Sequence, residues 1–507
     1  MTDDKRESVL VIGAGIAGLF TAMAIGPTGR KVTILERDSA PQSHDADDAF
    51  QNWQRRGVGH LRQSHAFLAR LRSIIRHEHP GLLDELLALG VRELGFEGML
   101  SEMQRANYVP VPGDAELAII TSRRTTLELA MRRYVERLRN VEIRSDVAVR
   151  KLLVEPGTPL KVVGVAAEVA GVPQDIRGDV VIDAGGKNSM FIEQLAEAGM
   201  TLKEETESAG ILYFTRHYRL RPGRTEPSRI GNPPAGGDLG FLKFGVFPAD
   251  NGCFSITLCA PEIEYELRKA VVDPDKFHQI TQILPGLRVW TNDDQAEPTS
   301  KVFGMGDLNS RWRDLVIEGK PSVMGFFALG DALVRTNPLY GRGCSIAAVS
   351  AYLIRDALEA SHDPAARLLA YHERLMKEIR PYYDTMRTQD RTAIKRAERA
   401  LTPNAKQSLR SKIMQSFVED GIVPATRFDI RLLRESMRGF HMFEHPNAWL
   451  TKPRNFATIL AYWSRGKKRN AAAYPPKAGP EREEMLRALA IDPERDLIRD
   501  SGMKEAA

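Results

Sequence analysis

Four consecutive aliphatic residues, Val9, Leu10, Val11 and Ile12, run directly into Gly13-Ala14-Gly15-Ile16-Ala17-Gly18. An unbroken apolar run of this length reads as a strand covered on both faces, as in a parallel sheet. The glycines follow at the spacing G-x-G-x-x-G. Ile16 to Ile25 then reads as a helix and Lys31 to Glu36 as the next strand. In a turn of this kind Gly13 allows the tight bend, Gly15 leaves room for a pyrophosphate, and Gly18 lets helix and strand pack closely. The helix N-terminus then presents free N–H groups and a positive dipole end to the anion. Glu36, closing the second strand, stands where an acid accepts hydrogen bonds from a ribose. With Ala17 inside the turn and Arg37 beside the acid, these residues are the first candidate cofactor contacts.

A second stretch narrows the cofactor. Phe326-Phe327-Ala328-Leu329 ends in Gly330-Asp331-Ala332, and Asn337-Pro338-Leu339-Tyr340-Gly341-Arg342-Gly343-Cys344-Ser345 leads into a helix of small residues near Ile346. This resembles the G-D…N-P-x-x-G-x-G motif of FAD-dependent aromatic hydroxylases, epoxidases, geranylgeranyl reductases and halogenases. The resemblance implies that Asp331 binds the ribityl chain and that Pro338, Gly341, Gly343 and Cys344 lie beside the isoalloxazine ring. Arg55-Arg56-Gly57-Val58 is similar to the R-x-G-V element of that superfamily, whose arginine meets the FAD pyrophosphate; Arg55 is the better match, with Arg56 the alternative. Ser122-Arg123-Arg124-Thr125-Thr126-Leu127-Glu128 is similar to its S-R-x-x-L-E helix start, which makes Arg124 a further FAD contact. Arginine suits both places because its planar fork stays charged and grips phosphate oxygens in pairs.

The likeness covers roughly residues 8 to 360. It implies an α/β fold: a Rossmann-like FAD-binding domain, an antiparallel β-sheet substrate domain and a helical C-terminal region. The expected division is residues 1–200 and 311–360 for FAD, 201–310 for substrate, and 361–507 for the helical end with a flexible tail. Aromatic-rich strands at Ile211–Tyr218 and Gly240–Phe247, continued by Phe254–Cys259, suggest a sheet over an apolar substrate pocket, half or more of whose aromatics serve as core. Leu152 to Arg177 reads as a small crossover sheet. Helices are expected over Phe67–Leu89, broken at Pro80-Gly81, and over Thr125–Leu138. Beyond Ala347 the chain reads as helical, broken at Pro403 and Pro424, with a linker over Ala471–Pro480 and a charged, loosely docked helix from Glu481.

Composition excludes more than it selects. The 507 residues carry 71 basic and 66 acidic side chains, a formal net charge of +5, and show no compact basic-aromatic module for nucleic acid. No apolar run reaches the ~18 residues of a membrane span, and the N-terminus has no apolar signal core, so a cytoplasmic protein is expected. Cys253 and Cys259 would share one strand face too far apart to bridge, and three cysteines suit a reducing compartment. His441-Met442-Phe443-Glu444-His445 spells a zinc-protease motif, but Pro446 ends the helix and no third ligand stands out, so no metal is expected. His77-Glu78-His79-Pro80 reads as a helix end, and Ser64 and Ser345 lack a nucleophile elbow.

No general base is evident; Arg62, His65, Arg216, His217 and Lys243 lie in segments of the expected pocket without an assignable step. The expected function is therefore an FAD-dependent monooxygenase, hydroxylating or epoxidising a lipophilic or aromatic small molecule through a flavin C4a-hydroperoxide. NAD(P)H or a partner flavin reductase is the expected electron donor, since no second glycine-rich nucleotide fold appears. An FAD-dependent reductase of the geranylgeranyl reductase type is the first alternative. A halogenase is the second, although the W-x-W-x-I-P signature of tryptophan halogenases is absent. A binding protein that keeps the fold without turnover is a third.

Overall fold

The structure, a computed structural model, describes residues 6–230, 234–401, 408–474 and 477–493. Five parallel strands form its central sheet in the order Phe326–Ala328, Val180–Asp183, Ser8–Ile12, Lys31–Leu35, Val141–Arg144. Ser8–Ile12 lies in the middle, which explains its unbroken aliphatic run: Val9 and Val11 are buried on one face, and Leu10 and Ile12 on the other. The helix Ile16–Ile25 follows the glycine turn and packs along the helix Gly343–Ala360, so the two motifs read from sequence share one layer.

A crossover layer of antiparallel strands, Val147–Glu155, Leu160–Val169 and Val172–Arg177, matches the expected small sheet and is joined in parallel by Val323–Met324. The third layer is an antiparallel sheet ordered Gly236–Asp238, Lys243–Pro248, Cys253–Pro261, Ile211–Leu220 and Ala296–Pro298. Residues 265–291, within the interval read as sheet, form three helices instead: Tyr265–Val272, Pro274–Ile283 and Pro285–Thr291. Pro274 and Pro285 each open a helix, where a missing N–H costs nothing, and Asp273 caps the second by accepting from the amides of Asp275 and Lys276.

Pro80 likewise opens the helix Pro80–Ala88 after Ala69–Glu78 has ended. Pro424 does not break the C-terminal helices. Helical turns run without interruption from Leu409 to Phe428, with a π-helical stretch Phe417–Ile422 just ahead of the proline. A wider turn absorbs the missing N–H and the ring, so the chain bends its ladder rather than leaving it. Pro403 and the tail beyond 493 lie outside the described residues.

The helix Arg482–Ala488 is not loosely docked. Its Met485 and Leu486, and Leu489 just beyond, are buried in the core of the antiparallel-sheet layer, and Arg482 grips both carboxylate oxygens of Glu264. No helix among the described residues is long and apolar enough to cross a membrane. Cys253, Cys259 and Cys344 are free thiols. The helix Ile430–Phe440 ends before His441, so the H-x-x-E-H residues form a turn and share no helix face.

Candidate functional site

Each motif glycine has a separate spatial reason. Gly13 has φ +98°, and a Cβ there would stand 2.9 Å from the Ala184 carbonyl oxygen. A Cβ on Gly18 would fall 1.9 Å from the Gly13 carbonyl oxygen, inside any contact distance. Gly15 is different: a Cβ there would meet no atom within 4 Å. It caps the helix without a side chain, and the amides of Ile16, Ala17 and Gly18 have no acceptor among the described residues. Open space in front of unpaired helix amides is what a phosphate needs.

Glu36 is buried beside this turn. Its Oε2 accepts from the Ala14 amide at 2.7 Å and its Oε1 from the Asp38 amide at 2.9 Å. Arg55 donates to Glu36 at 3.1 Å and to Glu128 at 3.0 Å while lying over the Trp53 ring. Its fork thus engages carboxylates and holds Glu36 in place. Arg56 and Arg37 are exposed, and the Arg37 guanidinium lies against Gly57. Arg124 donates to the other oxygen of Glu128 at 2.6 Å, completing a buried chain Glu36–Arg55–Glu128–Arg124. That chain leads from the first motif to the second, since Asp331 and Cys344 both sit within electrostatic reach of Arg124.

The motifs meet at Gly330. It has φ +57°, and a Cβ there would lie 3.2 Å from the Cβ of Ala17 and 3.5 Å from that of Ala347. The next residue, Asp331, accepts no side-chain hydrogen bond from any described residue. Burial pushes its carboxyl pKa up, while the charges of Arg124, Arg335, Arg311 and Lys187 pull the other way. An acceptor left open in a cationic setting suits a hydroxylated ligand. The Cys344 thiol, in the first turn of the following helix, is pushed up to about 11 by burial and stays protonated at neutral pH.

A residue that sequence reading missed holds the intervening loop. Asp390, buried on the helix Arg380–Ala400, accepts from Asn337 Nδ2 and from Tyr340 Oη, both at 2.8 Å. Asn337 Oδ1 in turn accepts from Tyr213 of the antiparallel sheet at 3.0 Å. Two elements, the helix and the sheet, therefore fix the turn Pro338–Tyr340 and the left-handed Gly341, φ +64°. Nothing local marks Asp390; its partners lie some fifty positions away in a separate element.

The sheet face toward this loop is largely polar rather than apolar. Phe214, Tyr218, Phe244 and Phe254 point away from it, into a core with Trp290 and the helices of residues 265–291. The near face carries Tyr213, Thr215 and His217 opposite Cys259, Thr257 and Ser255. Thr215 donates to Gln63 Oε1 at 2.6 Å, Thr257 to Ser64 Oγ at 2.6 Å, and His217 Nε2 stands 3.0 Å from the Arg62 carbonyl oxygen. The segment Arg62–Ser64 is thus pinned by the sheet, and the strand aromatics are mainly core because alternate residues of a strand face opposite sides. His65 stacks on Phe67, and His60 and His65 both feel the Arg124 charge, which places them at the site. Arg216 caps the carbonyls of Ser300 and Pro274, and Lys243 pairs with Asp238.

No family model matches the chain. Protein Rv3254 of Mycobacterium tuberculosis is 28% identical over 376 residues, covering 70% of this chain and 74% of its own. Among solved structures, the flavin-dependent brominase Bmp2 aligns over 91% of this chain and 100% of its own, with a TM-score of 0.58 and 19% identity. PqsL of Pseudomonas aeruginosa, a probable FAD-dependent monooxygenase, aligns over 79% of this chain and 100% of its own, with a TM-score of 0.54 and 17% identity. The chain has the fold of the FAD-dependent monooxygenases and flavin-dependent halogenases.

Proposed function

We propose that this protein is an FAD-dependent monooxygenase acting on an aromatic or lipophilic small molecule. The observation that carries this reading is the convergence of free helix amides at Gly15–Gly18, the buried Glu36 and the unpartnered carboxylate of Asp331 around Gly330. That donor and acceptor set fits a pyrophosphate flanked by a ribose and a polyol. The amides of Ile16 to Gly18 bind the pyrophosphate; Glu36, steadied by Arg55, takes the ribose; Asp331 takes the ribityl hydroxyls. Arg124 adds positive charge between the two ends, and Arg55 acts by holding Glu36 in place. Pro338, Gly341, Gly343 and Cys344 line the ring end, where the start of the helix Gly343–Ala360 favours negative charge.

When bound and reduced, FAD supplies the electrons that activate dioxygen. The chain's own work is to orient substrate and exclude water. The loop Asn337–Gly341, fixed by Asp390 and Tyr213, and the near face of the antiparallel sheet form that enclosure. NAD(P)H or a partner reductase delivers the electrons. Solved PqsL in complex with 2-aminobenzoylacetate is a case of an aromatic small molecule on this fold. Halogenation is the second reading, favoured by the likeness to a brominase over nearly the whole chain.

The test is turnover under oxygen-18 gas with FAD-loaded protein and a panel of aromatic compounds. One labelled oxygen in the product is expected. Product that forms only with halide supports the second reading, and product formed without oxygen overturns both in favour of a reductase. Asp331→Ala is expected to weaken FAD binding by about 1–3 kcal/mol, read by equilibrium dialysis.

A further inference from the structure

Arg342, between the loop glycines 341 and 343, is 3% exposed, yet its Nε and Nη1 have no hydrogen-bond partner. It is the one buried arginine among the described residues whose guanidinium donates no hydrogen bond. Arg55, Arg123, Arg313 and Arg367 are equally buried, and each holds a carboxylate. The Arg342 guanidinium lies instead among three rings, with its carbon 5.7 Å from the centre of Tyr340, 5.3 Å from Tyr382 and 5.5 Å from Phe440. Rings attract a cation but accept no in-plane N–H bond, so these donors remain unsatisfied.

A second orphan lies against the same Phe440 ring, within reach of the Arg342 charge. His441 is 2% exposed, and its Nδ1 accepts from the Ala69 amide at 3.5 Å, which puts its proton on Nε2. Nε2 has no acceptor among the described residues. Burial and the Arg342 charge keep the ring neutral, holding its pKa down to about 4. Arg70, whose Nε is also unpartnered, lies over Phe443 close by. The carboxylates that act on Tyr382, one ring of this collar, are already used: Glu378 pairs with Arg374, and Glu444 with Arg438. Four unpaired donor atoms on three residues, with no acceptor for them among the described residues, call for a ligand that only accepts, and the aromatic collar calls for a flat one. Phe440, 37% exposed, marks the side open to solvent.

We propose that Arg342 and His441, with Arg70 at the rim, bind the carboxylate of a small aromatic acid. Resting on the oxygenase reading above, this makes the substrate an aromatic acid held beside the loop 338–343. A buried cation without a partner also destabilises the empty protein, so replacing it by an apolar side chain of similar length should stabilise the unliganded fold.

The experiment measures thermal stabilisation of the FAD-loaded protein by benzoate, with benzamide and chloride as controls, in the parent and in Arg342→Met. Benzoate is expected to raise the parent Tm by several degrees and benzamide not at all. Arg342→Met should lose at least tenfold in benzoate affinity while keeping its FAD content. Arg342→Lys, which keeps the charge but not the fork, serves if the methionine variant does not fold and should weaken benzoate binding in the same direction. No benzoate shift in the parent, an equal shift in the variants, or equal binding of chloride and benzoate overturns the proposal. Protein that carries no FAD but shows the Arg342-dependent benzoate shift overturns the oxygenase reading and supports the carboxylate site.

Discussion

The two faces of the strands Ile211–Leu220 and Cys253–Pro261 are almost equally buried and chemically opposite. On the far face Phe254, Ile256 and Leu258 are fully excluded from water and pack with Trp290. On the near face Thr215, His217, Ser255 and Thr257 are also buried, but every one of them bonds to another polar group. The far face is held by contact area and the near face by partner matching. The first tolerates volume-conserving change; the second does not tolerate the loss of a single acceptor. The near face is also the one that touches the loop Asn337–Gly341, through Tyr213 and Asn337. Specific chemistry therefore lies on the side where burial is satisfied by hydrogen bonds.

The largest expected effect tests the far face. Phe254→Ala should cost about 3–5 kcal/mol of stability, because a ring packed against Tyr218 and Trp290 leaves a cavity that rigid neighbours cannot fill. Denaturant unfolding measures this, and a loss as small as that of a surface change would erase the contrast between faces. Gly15→Val spares both faces. With no protein atom within 4 Å of the added Cβ, the fold should stand while FAD affinity falls about a hundredfold, or about 3 kcal/mol. Flavin absorbance after gel filtration reads the loss, and normal FAD content would remove the loop from the site.

Acid should act through the near face. Burial holds His217 down to about 4 from its ordinary 6.5, so the stability of the neutral ring is complete above pH 6.5 and drains as pH falls toward about 4. The full effect is at most about 3 kcal/mol. Its surroundings include Arg123, Arg62 and Asp250, and His65 on the neighbouring segment is depressed further, to about 3. His217→Gln should flatten the stability profile between those pH values; an unchanged profile would place the acid sensitivity elsewhere. The smallest effect belongs to Thr215→Val, which deprives Gln63 Oε1 of its 2.6 Å donor and should cost about 1 kcal/mol. Combining it with a Gln63→Leu change should recover part of that loss, since both partners then become apolar.

Residues that work as neighbours along the chain were legible. Gly13, Gly15, Gly18 and Glu36 lie within one strand–turn–helix–strand unit, whose geometry is set by backbone sterics and periodicity, so their places follow from spacing. The helix Ile16–Ile25 has the bounds its apolar pattern implies. Pro424 misled because a proline's local preference was overridden by packing of the helices around it. The aromatic strands were legible as strands, but which side would face the loop was not. Period-two alternation gives two faces without labels, and the helices of residues 265–291 decided which one became core.

The sequence by itself determined the parallel sheet, the glycine turn and the candidate cofactor contacts, because short-range sterics and hydrogen bonding restrict what each segment can become. Only the tertiary structure decided that Arg55 grips Glu36 and Glu128, that Asp390 anchors Asn337 and Tyr340, and that Arg342 and His441 share the Phe440 ring without an acceptor among the described residues. A charge is read from one residue, whereas its partner, or the lack of one, depends on which distant segments the folded core brings within about 3 Å.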